Sequence, residues 1–388
     1  MSTLAVADAP AAVTNPAALP GIPFTIASRP GVRFAAAQTV NVLNGPAEFQ
    51  PIPLPACGYL RRISLEFNFT GAAASAGAVV TGDGPFNLLS GISLSDASGQ
   101  SIQPAISGYN LYLINKYLPG PRSNEATWLQ NPHVGPEYTY SATATTFSAR
   151  FRLDIDLEQD PTTGYGSIPN MDSNASPILR ISAAPYSVAF SGTTVSAATL
   201  SVRVTQHFWA PVSPTIGGAA VVTSPTGLGD FLETRYSTQT VSAGSINTTQ
   251  LGDRGGLIKG ILLVSRAAGV RTDWTAGSEL GLIFDNNALY EGLTMDEWKD
   301  KIRRQRGLIG ADLTTSYAPL ATGTIPGLDR GVTFIDFAGE QAGPRDSWLA
   351  TRVGTQLQVR HQPGASATQL EILTQMMQVR DAGAFYGR

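Results

Sequence analysis

The chain has 388 residues, 14% of them charged, a formal net charge of −3, 40 glycines and 26 prolines. That length suits two domains better than one, because single cores stop growing beyond roughly 250–300 residues. The charged fraction lies well below the roughly 25% of ordinary soluble proteins, the Gly and Pro content is that of turn-rich β-structure, and the faintly acidic balance excludes electrostatic binding along nucleic acid, which needs a basic face.

In chain order, residues 1–36 carry prolines at 10, 16, 20, 23 and 30 and few charges. Proline at that density breaks helices and strand ladders, so the segment reads as an extended N-terminal arm kept out of the folded cores and ordered by packing on something else. Tyr59 to Thr70 then alternates apolar and polar residues, as a strand with one buried face does. Asn87 to Asp96 is a second strand, and Ser107 to Leu118 an amphipathic helix. Phe151, Leu153, Ile155 and Leu157 alternate with Arg152, Asp154, Asp156 and Glu158, and Leu200 to Trp209 repeats the period of two.

The second half repeats this order. GLIKGILLVSRAAG from Gly256 echoes YLRRISLEFNFTGAAAS from Tyr59: an apolar strand with a basic residue near its start, ending in Ala and Gly. ELGLIFDNN from Glu279 answers the strand at Asn87, and TMDEWKDKIRRQRG from Thr294 answers the helix at Ser107. GVTFIDFAG, TQLQVRHQPG and the closing ATQLEILTQMMQVR answer the last three strands of the first half. Two all-β copies of this size match tandem eight-stranded jelly-roll sandwiches, each with a short flanking helix. The expected boundaries are 1–36 for the arm, 37–222 for the first sandwich and 223–388 for the second.

With this layout the sequence resembles the double jelly-roll major capsid proteins of tectiviruses and related icosahedral bacteriophages with an internal membrane. The resemblance is carried by Gly84, Pro85, Asn87, Leu88 and Asp96, then by Ser107, Gly108, Leu111 and Asn115 at the first helix. In the second half it is carried by Phe284, Asp285 and Asn286, then by Trp298, Arg303 and Arg304 before the strand Gly331 to Phe337. It departs at the amino terminus, where such proteins carry a Gln/Ala-rich helix that five prolines forbid here. The resemblance implies a shell protein and not an enzyme, a homotrimer that meets neighbouring trimers, penton and minor capsid proteins, and lipids of an internal membrane. It implies a place in the virion capsid after assembly in the host cytoplasm. A hexagonal net needs tiles with six similar edges, and three chains of two like domains present six.

No catalytic, cofactor or metal residue is assigned. His133, His207 and His361 sit in no ligand spacing, and Cys57 is the only cysteine, which excludes intrachain disulfides and thiolate zinc sites. Asp154, Asp156 and Glu158 share one strand face, as paired carboxylates do in jelly-roll glycosidases, but the solvent face of a sandwich strand asks for the same residues. Lys299, Lys301, Arg303, Arg304 and Arg306 are a basic run suited to phosphates or to a solvated face paired with Asp296, Glu297 and Asp300. Asp285, Asn286 and Asn287 lack the later ligands of a calcium loop and read as a turn, and Gly217–Gly218 lacks a nucleotide-binding context. No secretory signal and no run of about 18 apolar residues is expected. Two alternatives compete: a tandem β-sandwich that binds or cleaves carbohydrate, and a trimeric phage spike or fibre.

Overall fold

The computed structural model describes residues 21–73, 78–118, 138–143, 145–192, 194–252, 255–306, 308, 327–337, 348–351 and 356–379. The first sandwich is built from β1 (Pro30–Asn41), β2 (Ala47–Glu48), β3 (Ile52–Pro53), β4 (Gly58–Ala73), β5 (Leu89–Ser95) and β6 (Ser101–Ile106). Helix α1 (Gly108–Tyr117) follows, then β7 (Thr146–Asp156), β8 (Ile178–Ala183) and β9 (Val195–Trp209). One sheet has the order β1-β9-β4-β7 and the other β2-β8-β5-β6, with β3 also on β8.

The second sandwich comprises β10 (Phe231–Thr240), β11 (Asn247–Gln250), β12 (Leu257–Ala267), β13 (Gly281–Phe284), β14 (Asn287–Tyr290), helix α2 (Met295–Arg306), β15 (Val332–Asp336), β16 (Leu357–His361) and β17 (Gln369–Gln378). Its sheets run β10-β17-β12-β15 and β11-β16-β13-β14. Strand for strand this is the order of the first sandwich, and in both a helix follows the strand at the edge of one sheet. All the ladders between these strands are antiparallel.

The equivalence extends to single residues, because both sandwiches carry a bulge at the same place. In the β9–β4 ladder, His207 pairs with Arg62 and Phe208 with Leu60, so Arg61 is the extra residue. In the β17–β12 ladder, Gln375 pairs with Gly260 and Met376 with Ile258, so Lys259 is the extra residue. A bulge adds one residue to one strand and pins the register. Counting from it places Ser64 with Leu262, Glu66 with Val264, Thr205 with Leu373 and Asp154 with Phe334. The basic residue near the start of each echoing strand is thus the bulge itself.

Alternation decides the cores. Ile63, Leu65, Phe67 and Phe69 of β4 face Leu153 and Phe151 of β7 and Val202 and Val204 of β9 on the inner side of their sheet, all fully buried or nearly so. Phe67 and Phe151 stack at 5.1 Å between centroids. The second core holds Ile258, Ile261, Leu263, Trp298, Val359 and Met376.

Several expectations change. β1 starts at Pro30, inside the segment read as an arm: proline costs nothing at the first residue of an edge strand, where its missing N–H is not needed. Before it, Phe24–Ala27 forms a helical turn whose Phe24 ring lies edge-on to Tyr59 and Trp209 at 5.2 and 6.2 Å, so packing on the first sandwich begins before residue 30. Residues 1–20 of the expected arm lie outside the described residues. Helix α1 is not amphipathic, since all ten of its residues are buried. The strands β6 and β14 were not anticipated. The turn at Asp285 and Asn286 is as expected: both adopt positive φ (48° and 66°) and close the two-residue hairpin from β13 to β14.

Candidate functional site

The acidic residues of β7 do not lie on a wet face. Asp154 is fully buried. Its Oδ1 accepts from Arg152 Nε at 3.1 Å, and its backbone exchanges hydrogen bonds with the Asn115 side chain of α1. Glu158 accepts from Arg61 Nε at 2.7 Å and from Trp209 Nε1 at 2.6 Å, beneath a stack of the Arg61 guanidinium on the Trp209 ring. Burial raises the Glu158 carboxyl above its usual range despite these two donors. Only Asp156 is half-buried. The solvent-face reading fails here because Arg152 and Arg61 fold over Asp154 and Glu158, which one strand's alternation cannot reveal. Each buried carboxylate is engaged by its own guanidinium, so the set is not an acid and base held across an open cleft.

Beside it, Ser64 Oγ lies 3.1 Å from His207 Nε2 and accepts from Arg152 Nη2 at 2.8 Å, while Arg62 Nη2 lies 3.3 Å from His207 Nδ1. With Arg152 donating to the hydroxyl and Arg62 at the imidazole, these side chains form a hydrogen-bonded layer on the sheet. His361 is buried against Thr249 Oγ1 at 2.9 Å and edge-on to Trp274, and burial lowers its pKa to about 4. His133 lies outside the described residues. Gly217 and Gly218 form the positive-φ turn of a short hairpin.

The basic run on α2 is partly tied: Arg303 pairs with Asp300 at 2.9 Å and Lys299 with Asp273 at 3.3 Å, while Lys301 sits over the Tyr290 and Trp298 rings. Glu297 accepts from Thr294 at the helix start instead of pairing with a lysine. Arg304 is exposed. Among the described residues no group of three His, Cys, Asp or Glu side chains could hold a metal, and no helix is long and apolar enough to cross a membrane.

The densest polar chemistry lies between the two sandwiches, and no motif announced it. Asp329, just before β15, accepts from Lys116 Nζ at 2.7 Å and from the hydroxyls of Tyr117 at 2.8 Å and Tyr109 at 3.3 Å. Burial and the Asp329 charge together hold the Tyr117 hydroxyl well above its ordinary pKa. Asp83 takes Arg266 at 2.6 Å and Arg271 at 2.7 Å, and the bulge residue Lys259 donates to Leu118 O and Gln159 Oε1, both at 3.0 Å. The only signals in the sequence were a lysine inside each of two apolar segments, Lys116 and Lys259. A cleft of about 930 Å³ opens at the same junction, lined by Asp96, Asp230, Glu233 and Arg235. There Glu233 already accepts from Arg235 and Gln378.

No protein-family model matches the chain, and no curated protein matches it. Solved structures do. The major capsid protein of STIV is 12% identical with a TM-score of 0.61, over 93% of this chain and 100% of its own. A chain of the Sulfolobus Turreted Icosahedral Virus structure is 14% identical with a TM-score of 0.61, over 92% and 93%. The Faustovirus major capsid protein is 9% identical with a TM-score of 0.55, over 90% of each chain. The chain is a double jelly roll. At these identities the match establishes the fold, and it covers both sandwiches in one alignment.

Within this double jelly roll the two equivalent sheets meet different surroundings. The outer face of β10-β17-β12-β15 presents Leu262, Val264, Val332, Phe334 and Leu373, and all five join the core cluster of the first sandwich. Every residue of β12 but the last is buried. The outer face of β1-β9-β4-β7 has Ser64, Glu66, Arg152, Asp154 and Thr205 at those same register positions. Among the described residues it is only partly covered: Ser64 and Asp154 are buried, whereas Asn68 and Thr70 are exposed on β4, and Val32 and Phe34 of β1 are 62% and 51% exposed.

Proposed function

We propose that this chain is the major capsid protein of an icosahedral virus, a non-enzymatic tile that assembles as pseudo-hexameric homotrimers. One observation carries the reading: a single chain holds two sandwiches of identical strand order, joined by contact of unlike surfaces, with the sheet face that is buried in this contact on one sandwich partly exposed, among the described residues, on the other. Head-to-tail contacts between like units generate rings when the rotation closes, and three chains of two units give a six-edged tile. Weak contacts between such tiles add up by avidity. The double jelly-roll capsid proteins that resemble this chain over nearly its full length support the same reading. A bacterial host, an internal membrane, and penton and minor capsid partners complete the proposal, with the segment before β1 as an adapter on the inner side of the shell.

The test is compositional. Virions purified from the source and separated on a gel should carry this chain as the dominant protein, and imaging should show it on a lattice of six-lobed capsomers. A chain present in a few copies at vertices would instead be a spike. Purified chain that bound or cleaved glycans would favour the carbohydrate reading.

A further inference from the structure

Two strand edges meet at the junction of the sandwiches. β6 is the last strand of its sheet and β10 the first of its own, and the two lie side by side. Among the described residues no backbone hydrogen bond joins them. Both begin at the cleft of about 930 Å³. Asp96, Gln100 and Ile102 come from the start of β6 and the turn before it, and Asp230, Phe231, Glu233 and Arg235 from the start of β10. The two strands therefore leave the cleft in the same direction. An edge strand presents N–H and C=O groups that its own ladder has not used.

The walls of the cleft define what fits between them. Three carboxylates, Asp96, Asp230 and Glu233, stand against one guanidinium, Arg235, among the lining side chains. Glu233 accepts from Arg235 and Gln378, and Asp96 holds its own turn by accepting from the N–H groups of Ser98 and Gln100 through Oδ1 alone. The cleft thus keeps an excess of negative charge. Ser167 lines it too, is 2% exposed, and its hydroxyl has no hydrogen-bond partner. A buried hydroxyl left unpaired is unfavourable until a ligand supplies the missing partner. Ile102, Ile168, Pro177 and Phe231 add an apolar lining.

We propose that this cleft takes an extended peptide segment of a partner protein, one with a basic side chain among apolar ones, which pairs with the free edges of β6 and β10. Because the two strands share a direction, a segment antiparallel to one is antiparallel to the other, and a single strand extends both sheets. Pro104 has no N–H to offer, so pairing on β6 is confined to Ser101–Gln103. On β10 it covers Phe231–Arg235, about 17 Å of extended chain. The basic side chain meets the carboxylates, and the apolar ones meet Ile102 and Phe231. A small cation would balance the charge but would use neither the strand edges nor the apolar lining. The cleft lies within one chain, so the inference stands apart from the capsid reading.

The test starts from random octapeptides displayed on phage and selected against immobilised full-length chain. The selected sequences should share a Lys or Arg among Val, Ile, Thr or aromatic residues. Fluorescein-labelled synthetic copies of them should bind the full-length chain by anisotropy. Glu233→Lys should weaken that binding by about tenfold or more through like-charge repulsion. So should Ala175→Trp, which sets a ring in the cleft at an exposed position and leaves both cores as they are. Bound peptide should slow amide hydrogen exchange in 101–103 and 231–235. Failure to enrich any sequence, enrichment of acidic ones, or binding that neither variant weakens would overturn the proposal. Peptide binding without slowed exchange in those two segments would overturn the strand pairing. Spermidine that displaced the peptides at equal affinity would show a plain cation site and overturn it as well. Self-association of the chain that Ala175→Trp abolished would make the occupant a second copy and not a partner.

Discussion

Asp329 is where the two sandwiches are most exposed to a single substitution. Its side chain is fully buried and that of Lys116 is 3% exposed, so the pair at 2.7 Å sits out of water. Replacing Asp329 with Ala leaves the buried ammonium beside Tyr112 Oη at 3.0 Å without its carboxylate and removes an acceptor of Tyr117 and Tyr109. Breaking a buried pair by deleting one partner costs about 3–5 kcal/mol, because the remaining charge stays buried. With a urea m-value of about 3 kcal/mol/M, the unfolding midpoint should fall by about 1 M or more. Equilibrium urea unfolding followed by tryptophan fluorescence measures it. The control is Asp329→Leu with Lys116→Met, which removes both charges and should recover at least half of the loss, since an apolar pair substitutes for a buried ion pair at little net cost. A loss below about 1 kcal/mol for Asp329→Ala would refute the reasoning, as would a double variant that costs the sum of the singles.

Phe334→Ala, on the apolar outer face pressed against the first sandwich, should cost about 3–5 kcal/mol in the same assay. Gly260→Ala should cost about 1–3 kcal/mol by driving a methyl group into Leu118 and the Ile335 carbonyl, and a neutral result would show that the junction yields there. His361 sets a pH dependence: its pKa is lowered to about 4 in the folded chain, so the unfolded chain takes up the proton first, near 6.5. Stability is full above pH 6.5 and falls as pH drops toward 4, by up to about 3 kcal/mol, and His361→Gln should flatten that slope in urea titrations at several pH values. Changing Asp154, Asp156 and Glu158 together to Asn and Gln should lower the unfolding midpoint, because the buried ion pairs of Arg61 and Arg152 go with them, and should abolish no hydrolase activity.

Much of the fold was legible because both halves were written in the same period. Alternation over Phe151 to Leu157 and Leu200 to Trp209 marks strands that pack one face, and the order of echoing segments survives intact as strand order. Short elements escaped: β6 and β14 hold too few apolar positions to show a period, and Pro30 at the head of β1 looked like a break when it is only an edge. The acidic face of β7 was misplaced for a different reason. Local alternation reports which side of a strand is apolar, but not whether side chains such as Arg61 and Arg152 fold over the polar side and bury its carboxylates. The junction was hidden for the same cause, since Lys116 and Asp329 are 213 residues apart and nothing in either neighbourhood names the other. The unlike fates of Ser64 and Leu262 became readable only when a shared bulge aligned them.

The central claim is that contact between unlike surfaces of like domains closes on itself. Electron microscopy of the purified full-length chain at micromolar concentration tests it directly. The expected images are six-lobed discs with the mass of three chains. Monomers would contradict the claim, and so would open filaments, which arise when a head-to-tail contact repeats without closing.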